Sequence, residues 1–316
     1  MITRAPGKLV LSGAYVVLEG APALVAAVDR YVVADPGRPA ELLTEEVRTA
    51  IALGVIDEAP WFDASALRAD EGRRKLGVGS SAAILVASMA ARAAWQRQAR
   101  GEGPPGWDRE ALLAGALDAH RAAQGGGSGL DVAASVLGGV LRCRLQLRTG
   151  APLGYGPQLE TIPHALPDGL TVTVLASEAE ARTSAMLARV REFAERSPAR
   201  YRTRMEYAAA GAGLAASAES VADFVVGLQR QVEALGEIGE LAGVPIVTEA
   251  LRQLGPAAAE EGAVIAPSGA GGGDVAILVG SRPPSEALLQ RAFAAGLSVE
   301  PMRIAARGVH LAGNVG

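Results

Sequence analysis

The segment Lys75-Leu76-Gly77-Val78-Gly79-Ser80-Ser81-Ala82-Ala83 constrains this chain more than any other. Two glycines and two serines stand directly before Ala82–Arg100, a long alanine-rich stretch with no Gly or Pro. That pattern predicts a flexible loop running into a helix N-terminus. Free backbone N–H groups and the positive end of the helix dipole meet there, so the place favours anions. Lys75 adds a point charge at the loop entrance. The expectation is a cradle for the phosphates of a nucleotide.

Two familiar nucleotide patterns test this. The P-loop pattern G-x-x-x-x-G-K-[ST] does not occur. Gly77 to Ala82 satisfies G-x-G-x-x-G/A, but that fingerprint needs a buried strand immediately before it. The preceding residues, Ala69-Asp70-Glu71-Gly72-Arg73-Arg74-Lys75, are too charged for such a strand. A dinucleotide site is therefore disfavoured.

Two further glycine clusters change the weight of the first. Gly125-Gly126-Gly127-Ser128-Gly129 leads to Asp131, and Ser268-Gly269-Ala270-Gly271-Gly272-Gly273 leads to Asp274. One cluster alone reads equally well as a tight turn, because glycine serves any position with positive φ. Three, two of them ending in an aspartate and one opening a helix, favour a polyanion site. Lysine usage agrees. Of 30 basic residues only Lys8 and Lys75 are lysines, and both stand close to glycine. Lysine is a compact point charge whose pKa shifts readily, whereas arginine is a wide fork.

Between these landmarks the pattern alternates strands and helices without a regular βαβ repeat, which predicts an α+β protein in two domains. Residues 1–34 read as extended, and helices are expected near 41–53, 82–100, 108–124 and 132–137. A strand is expected over 140–147. The Pro- and Gly-rich stretch 150–168 reads as a boundary, giving domains of residues 1–160 and 161–316. In the second half, strands are expected near 170–176, 263–266, 275–279, 297–304 and 309–311. Helices are expected over 184–196, 198–217 and 219–242, with shorter ones after Pro245 and over 285–295.

The remaining composition excludes more than it identifies. At 49% hydrophobic and 20% charged residues the chain is globular, and a net charge of −4 gives no reason to expect nucleic acid or an anionic membrane as partner. No apolar run approaches the ~20 residues of a membrane-spanning helix. Ser12-Gly13 interrupts the one stretch that mimics a signal peptide. The single cysteine, Cys143, cannot form an intrachain disulfide, and a cytoplasmic location is expected.

Three segments, in order, carry a family resemblance: Ala5-Pro6-Gly7-Lys8-Leu9, Gly77-Val78-Gly79-Ser80-Ser81-Ala82-Ala83 and Pro267-Ser268-Gly269-Ala270-Gly271-Gly272-Gly273-Asp274. They resemble the motifs of the GHMP small-molecule kinases and span nearly the whole chain. Ala119-His120 through Gln124-Gly125, then Gly127-Ser128-Gly129-Leu130-Asp131-Val132-Ala133, is similar to the phosphomevalonate kinase branch. So are Gly273-Asp274, Thr183-Ser184 and Gly243-Val244-Pro245-Ile246.

The resemblance implies a ribosomal-protein-like N-terminal domain, a ferredoxin-like C-terminal domain and an active site between them. It implies ATP and Mg²⁺ as cofactors and phosphomevalonate as the small-molecule acceptor, with a monomer or homodimer as the working unit. Lys8 and Asp131 would be catalytic. Lys75, Gly77, Gly79, Ser80, Ser81 and Ala82 would hold the nucleotide, with Ser81 touching the metal. The acceptor would meet Ser128, Gly129, His120, Arg182, Thr183 and Ser184, together with Gly269, Ala270, Gly271, Gly272 and Asp274. A sibling kinase acting on mevalonate or another small alcohol, or a non-catalytic sensor of the same fold, stays open at this point.

Overall fold

The apolar run of residues 9–11 lies on strand β1 (Thr3–Ser12), buried along nearly its whole length. The computed structural model describes residues 1–69, 74–146, 158–177 and 183–313. After β1 come β2 (Ala23–Pro39), α1 (Glu45–Ala52), β3 (Pro60–Asp63), and the two-residue strands β4 (Arg68–Ala69) and β5 (Arg74–Lys75). Helices α2 (Ser80–Ala99), α3 (Arg109–Gln124) and α4 (Leu130–Leu137) follow, then β6 (Val140–Gln146) and β7 (Gln158–Pro163). The second half holds β8 (Thr171–Ser177), α5 (Thr183–Arg196), α6 (Pro198–Ala216), α7 (Val221–Ala242), α8 (Glu249–Glu260), β9 (Val264–Pro267), β10 (Val275–Gly280), α9 (Glu286–Ala294), β11 (Leu297–Val299) and β12 (His310–Leu311).

Two sheets organise these elements. The first runs β12-β1-β2-β6-β7, with β3 also on β2; the second is antiparallel in the order β11-β8-β10-β9. Numbered within the second half, that order is 4-1-3-2 around a β-α-β-β-α-β path, the expected ferredoxin-like arrangement. The expected two-domain α+β class is therefore the observed one. The last strand returns to the first sheet, where Thr3 and Arg4 pair with Leu311 and His310.

Local chemistry explains where most helices begin. Thr44, Asp108, Ser220, Thr248 and Ser285 each accept a hydrogen bond from a backbone N–H in the first turn of α1, α3, α7, α8 and α9. Helices α2 and α4 start differently. Their N-caps are Gly79 and Gly129, both left-handed and neither providing a side-chain cap. Most alanines of α2 are buried on the side of the helix that packs on β1 and β2, and their small size lets helix and sheet approach closely.

Three details depart from expectation. Residues 158–163, read as part of an irregular boundary, form an edge strand on β6. An edge tolerates their polar alternation and the terminal proline. Trp95, which as a large aromatic is most simply read from the sequence as a packing residue, is 41% exposed on the last turns of α2. Finally, the second half's long final strand breaks into β11 and an irregular stretch before β12. Cys143 lies buried in β6, where burial pushes its thiol up to about 12.

The halves are tied at β1. Buried Gln231 on α7 accepts from the Gly13 N–H at 2.7 Å and donates to Ser12 Oγ at 3.0 Å. Ser268 Oγ accepts from the Val10 N–H at 3.0 Å and donates to the Val10 carbonyl at 3.1 Å. The third glycine cluster is thereby fixed to the strand that carries Lys8.

Candidate active site

Lys8 reaches the centre of the molecule because β1 is irregular beside it. The β1–β2 register shifts between Pro6 and Lys8. The Lys8 N–H instead donates to the Val78 carbonyl at 2.8 Å, which ties the strand to the first glycine loop. A side chain at Gly7 would place Cβ 2.8 Å from that same carbonyl. Close approach of two backbones thus explains the glycine before Lys8.

From there the Lys8 side chain meets the first and third glycine clusters and stands near the aspartates that follow the second and third. Its Cγ lies 3.0 Å from the Cβ position of Gly79, and its Nζ lies 3.8 Å from that of Gly269. Asp131, at the end of the second cluster, has its Cβ 3.4 Å from the Gly79 position. Asp274, at the end of the third, presses on the first loop, with Cβ 2.5 Å from the Cβ position of Gly77. Gly77 and Gly79 have φ of 69° and 78°, a conformation that costs any L residue strain. Both reasons for glycine, handedness and space, apply at these two positions.

The electrostatics are those of a crowded charged cluster. Burial pulls the Lys8 ammonium down, against the opposing pull of Asp131 and Asp274. Burial alone would push the Asp131 carboxyl up, but His120 and Lys8 outweigh it and hold it at about 2. Asp131 Oδ1 also accepts from the Val132 N–H at 3.0 Å, while Oδ2 stands 3.3 Å from His120 Nε2. Burial would lower the His120 imidazole; the Asp131 carboxylate, with a contribution from Glu46, raises it instead.

A cavity of about 210 Å³ opens beside this cluster. Lys8, His120, Gln124, Ser128 and Asp131 line one side, and Gly269 and Ala270 another. The rest is apolar, including Val10, Val17, Leu18, Leu130 and Leu187. The structure brings Lys8, Asp131, His120, Ser128, Gly129, Gly269 and Ala270 together around this cavity. Gly77, Gly79, Ser80, Ser81 and Ala82 adjoin it at the start of α2.

Other candidates stand outside the cavity lining. Lys75 is exposed on β5, paired with Arg68 across the short hairpin. Gly271 packs on the Ile246 carbonyl, 2.1 Å from its Cβ position, and the Gly272 N–H points to the same carbonyl at 3.4 Å. These two glycines shape the loop rather than the cavity wall. Arg182 lies outside the described residues, as do the side chains of Thr183 and Ser184 at the start of α5. Arg74 reaches across to the second sheet, where its guanidinium donates to the Ser177 carbonyl.

Sequence reasoning missed Tyr15. It has a φ of 64°, rare for a bulky residue, and its hydroxyl donates to the Ala270 carbonyl at 2.7 Å. It thereby forms part of the cavity wall and fastens the third cluster. Nothing local in the sequence marks that role.

No protein-family model matches the sequence, and no curated protein matches it. Solved structures do. A Listeria innocua protein superposes with a TM-score of 0.79 at 20% identity, over 98% of this chain and 99% of that one. Streptococcus pneumoniae phosphomevalonate kinase, in complex with phosphomevalonate and AMPPNP, gives 0.73 at 18% identity, over 96% and 99%. L. major mevalonate kinase, in complex with R-mevalonate, gives 0.60 at 18% identity, over 92% and 90%. The chain shares its fold with these kinases. Two of the three glycine clusters approach Lys8 directly, at Gly79 and Gly269, and the second lines the same cavity through Gly127, Ser128 and Gly129.

Proposed function

We propose that the protein is an ATP-dependent phosphotransferase whose acceptor is (R)-5-phosphomevalonate, yielding the diphosphate and ADP. The observation that carries the reading is that two distant glycine clusters and two aspartates surround the half-buried Lys8, with the remaining cluster lining the same cavity. Phosphoryl transfer requires little covalent participation by the protein; it requires positioning and neutralisation of charge. We divide the chain near residue 160, with the C-terminal strand returning to the first domain.

The donor phosphates fit the loop before α2. Its left-handed glycines turn the chain sharply into the helix, and the uncapped N-terminus of a 20-residue helix supplies N–H groups. Ser81, in the first turn, would contact Mg²⁺. Among the described residues no group of three or more His, Cys, Asp or Glu is placed to hold a metal. That fits a magnesium ion held mainly by phosphates and water. Bound there, it would offset charge on the transferring phosphoryl group.

The acceptor fits the 210 Å³ cavity. Its walls of Val, Leu and Ala suit a short branched aliphatic chain better than a polyol, and its polar groups cluster at the Lys8 end. Asp131, held at about 2, is a weak base. An alcohol would need a stronger one, whereas a phosphate monoester, with its second pKa near 6, is already largely dianionic at neutral pH. Lys8 then screens the approach of two polyanions.

A coupled ADP-release assay with mevalonate, phosphomevalonate, homoserine and galactose tests the reading. Turnover is expected with phosphomevalonate. Preference for an alcohol would replace the acceptor. Thermal stabilisation by ligands without turnover would point to a sensor.

A further inference from the structure

His120 is 3% exposed, yet neither ring nitrogen has an aligned hydrogen-bond partner. Its one close polar neighbour is Asp131 Oδ2, at 3.3 Å. It stands on α3 where that helix packs against α1, α2 and α4. From α4 it faces Asp131; from α1, Glu46, which is buried and accepts from Gln124 Nε2 at 3.1 Å. Its own helix adds Arg121. Helix α2 meets α3 through apolar groups such as Met89, whose Cε is 3.2 Å from the Cβ position of Gly115. Two acids against one arginine make this a site for a cation.

We propose that His120 is a positioning residue for phosphoryl transfer: as an imidazolium it holds the Asp131 carboxylate, leaving the Lys8 ammonium available to the phosphates. The charge count gives the reason. Lys8 has two acids nearby, Asp131 and Asp274. With His120 protonated, Asp131 is neutralised from the α3 side. With His120 neutral, Asp131 draws on Lys8 alone, and the cation is lost to the reacting oxygens. His120 reaches the chemistry only through Asp131.

The sign of the pH effect follows. A histidine raised by acidic partners is fully charged below its ordinary value and loses its charge as pH rises through the raised one. Activity should therefore fall on an alkaline limb set by His120. Ionisation of the acceptor phosphate, near pH 6, sets the acid limb. The kinetic half of this rests on the phosphotransferase reading; the pairing does not.

The chain has three histidines, so ¹⁵N-histidine labelling of the intact protein resolves each ring, with His120→Gln assigning the signal. The His120 ring is expected to titrate above the ordinary value of about 6.5, and to fall back toward or below it in Asp131→Asn. His120→Gln should lower kcat about tenfold, the worth of one charge-assisted contact, with KM for ATP unchanged and the alkaline limb gone. A ring that is neutral down to pH 5 overturns the proposal, as does an alkaline limb that persists in folded His120→Gln. If no acceptor is turned over, the phosphotransferase reading fails while the ring titration still decides the pairing.

Discussion

Replacing Lys8 by Met separates charge from packing at the centre of the site. Methionine keeps a stem of similar length, and the Lys8 stem is what packs against Gly79, with Cγ and Cε 3.0 and 3.3 Å from its Cβ position. Only the ammonium is lost. A unit charge about 4 Å from another contributes about 4 kcal/mol at an effective dielectric of ~20. Part of that acts equally on bound substrate, so about 3–4 kcal/mol of transition-state stabilisation should disappear, a loss of roughly 10²- to 10³-fold in kcat. Asp131→Asn is the control. Its amide oxygen can still accept the Val132 N–H, and a dianionic acceptor needs little help in deprotonation. That variant should lose roughly tenfold or less, against the 10²- to 10⁴-fold of a true general base. Initial rates of ADP release at saturating phosphomevalonate, with melting curves showing both variants folded, give the comparison. A loss at Asp131 equal to or larger than that at Lys8 refutes the reasoning.

Three further outcomes follow from the same geometry. Gly79→Ala forces a side chain into a φ of 78° and onto the Lys8 stem. It should lower the melting temperature by a few degrees, for strain of about 1–2 kcal/mol, and should weaken nucleotide binding more than that loss explains. Gln231→Ala leaves the Gly13 N–H and Ser12 hydroxyl buried without their partner. Urea unfolding should show a loss of about 2–3 kcal/mol. Asp131, held at about 2 against an ordinary 3.8, contributes stability that is present above its unfolded value and lost as pH falls from about 4 to 2. Wild type should therefore exceed Asp131→Asn by about 2 kcal/mol at pH 6, with the gap closing by pH 2 in acid-dependent melts.

Much of this architecture is legible in the chain because local signals agree with the fold. Caps at Asp108 and Ser285, the alanine run of α2 and the three glycine clusters each act over a few residues. Strand β7 was not legible, since its stability comes from pairing with β6 rather than from its own apolar pattern. At the site, Lys8, Asp131 and the glycines stand out by type and spacing. Tyr15 and Gln231 do not. Tyr15 acts through a carbonyl on Ala270 and Gln231 through a turn at Gly13, partners more than 200 positions away. Lys75 shows the opposite case. Its rarity and position beside the loop point to a phosphate, but the β4–β5 hairpin leaves it exposed.

Phosphorus NMR of the reaction product tests the acceptor most directly. Incubation of the protein with ATP, Mg²⁺ and (R)-5-phosphomevalonate should replace the monoester singlet by two mutually coupled signals of a diphosphate, in step with ADP formation. An unchanged phosphomevalonate singlet, with mevalonate instead converted to a new monoester under the same conditions, would contradict a phosphate acceptor.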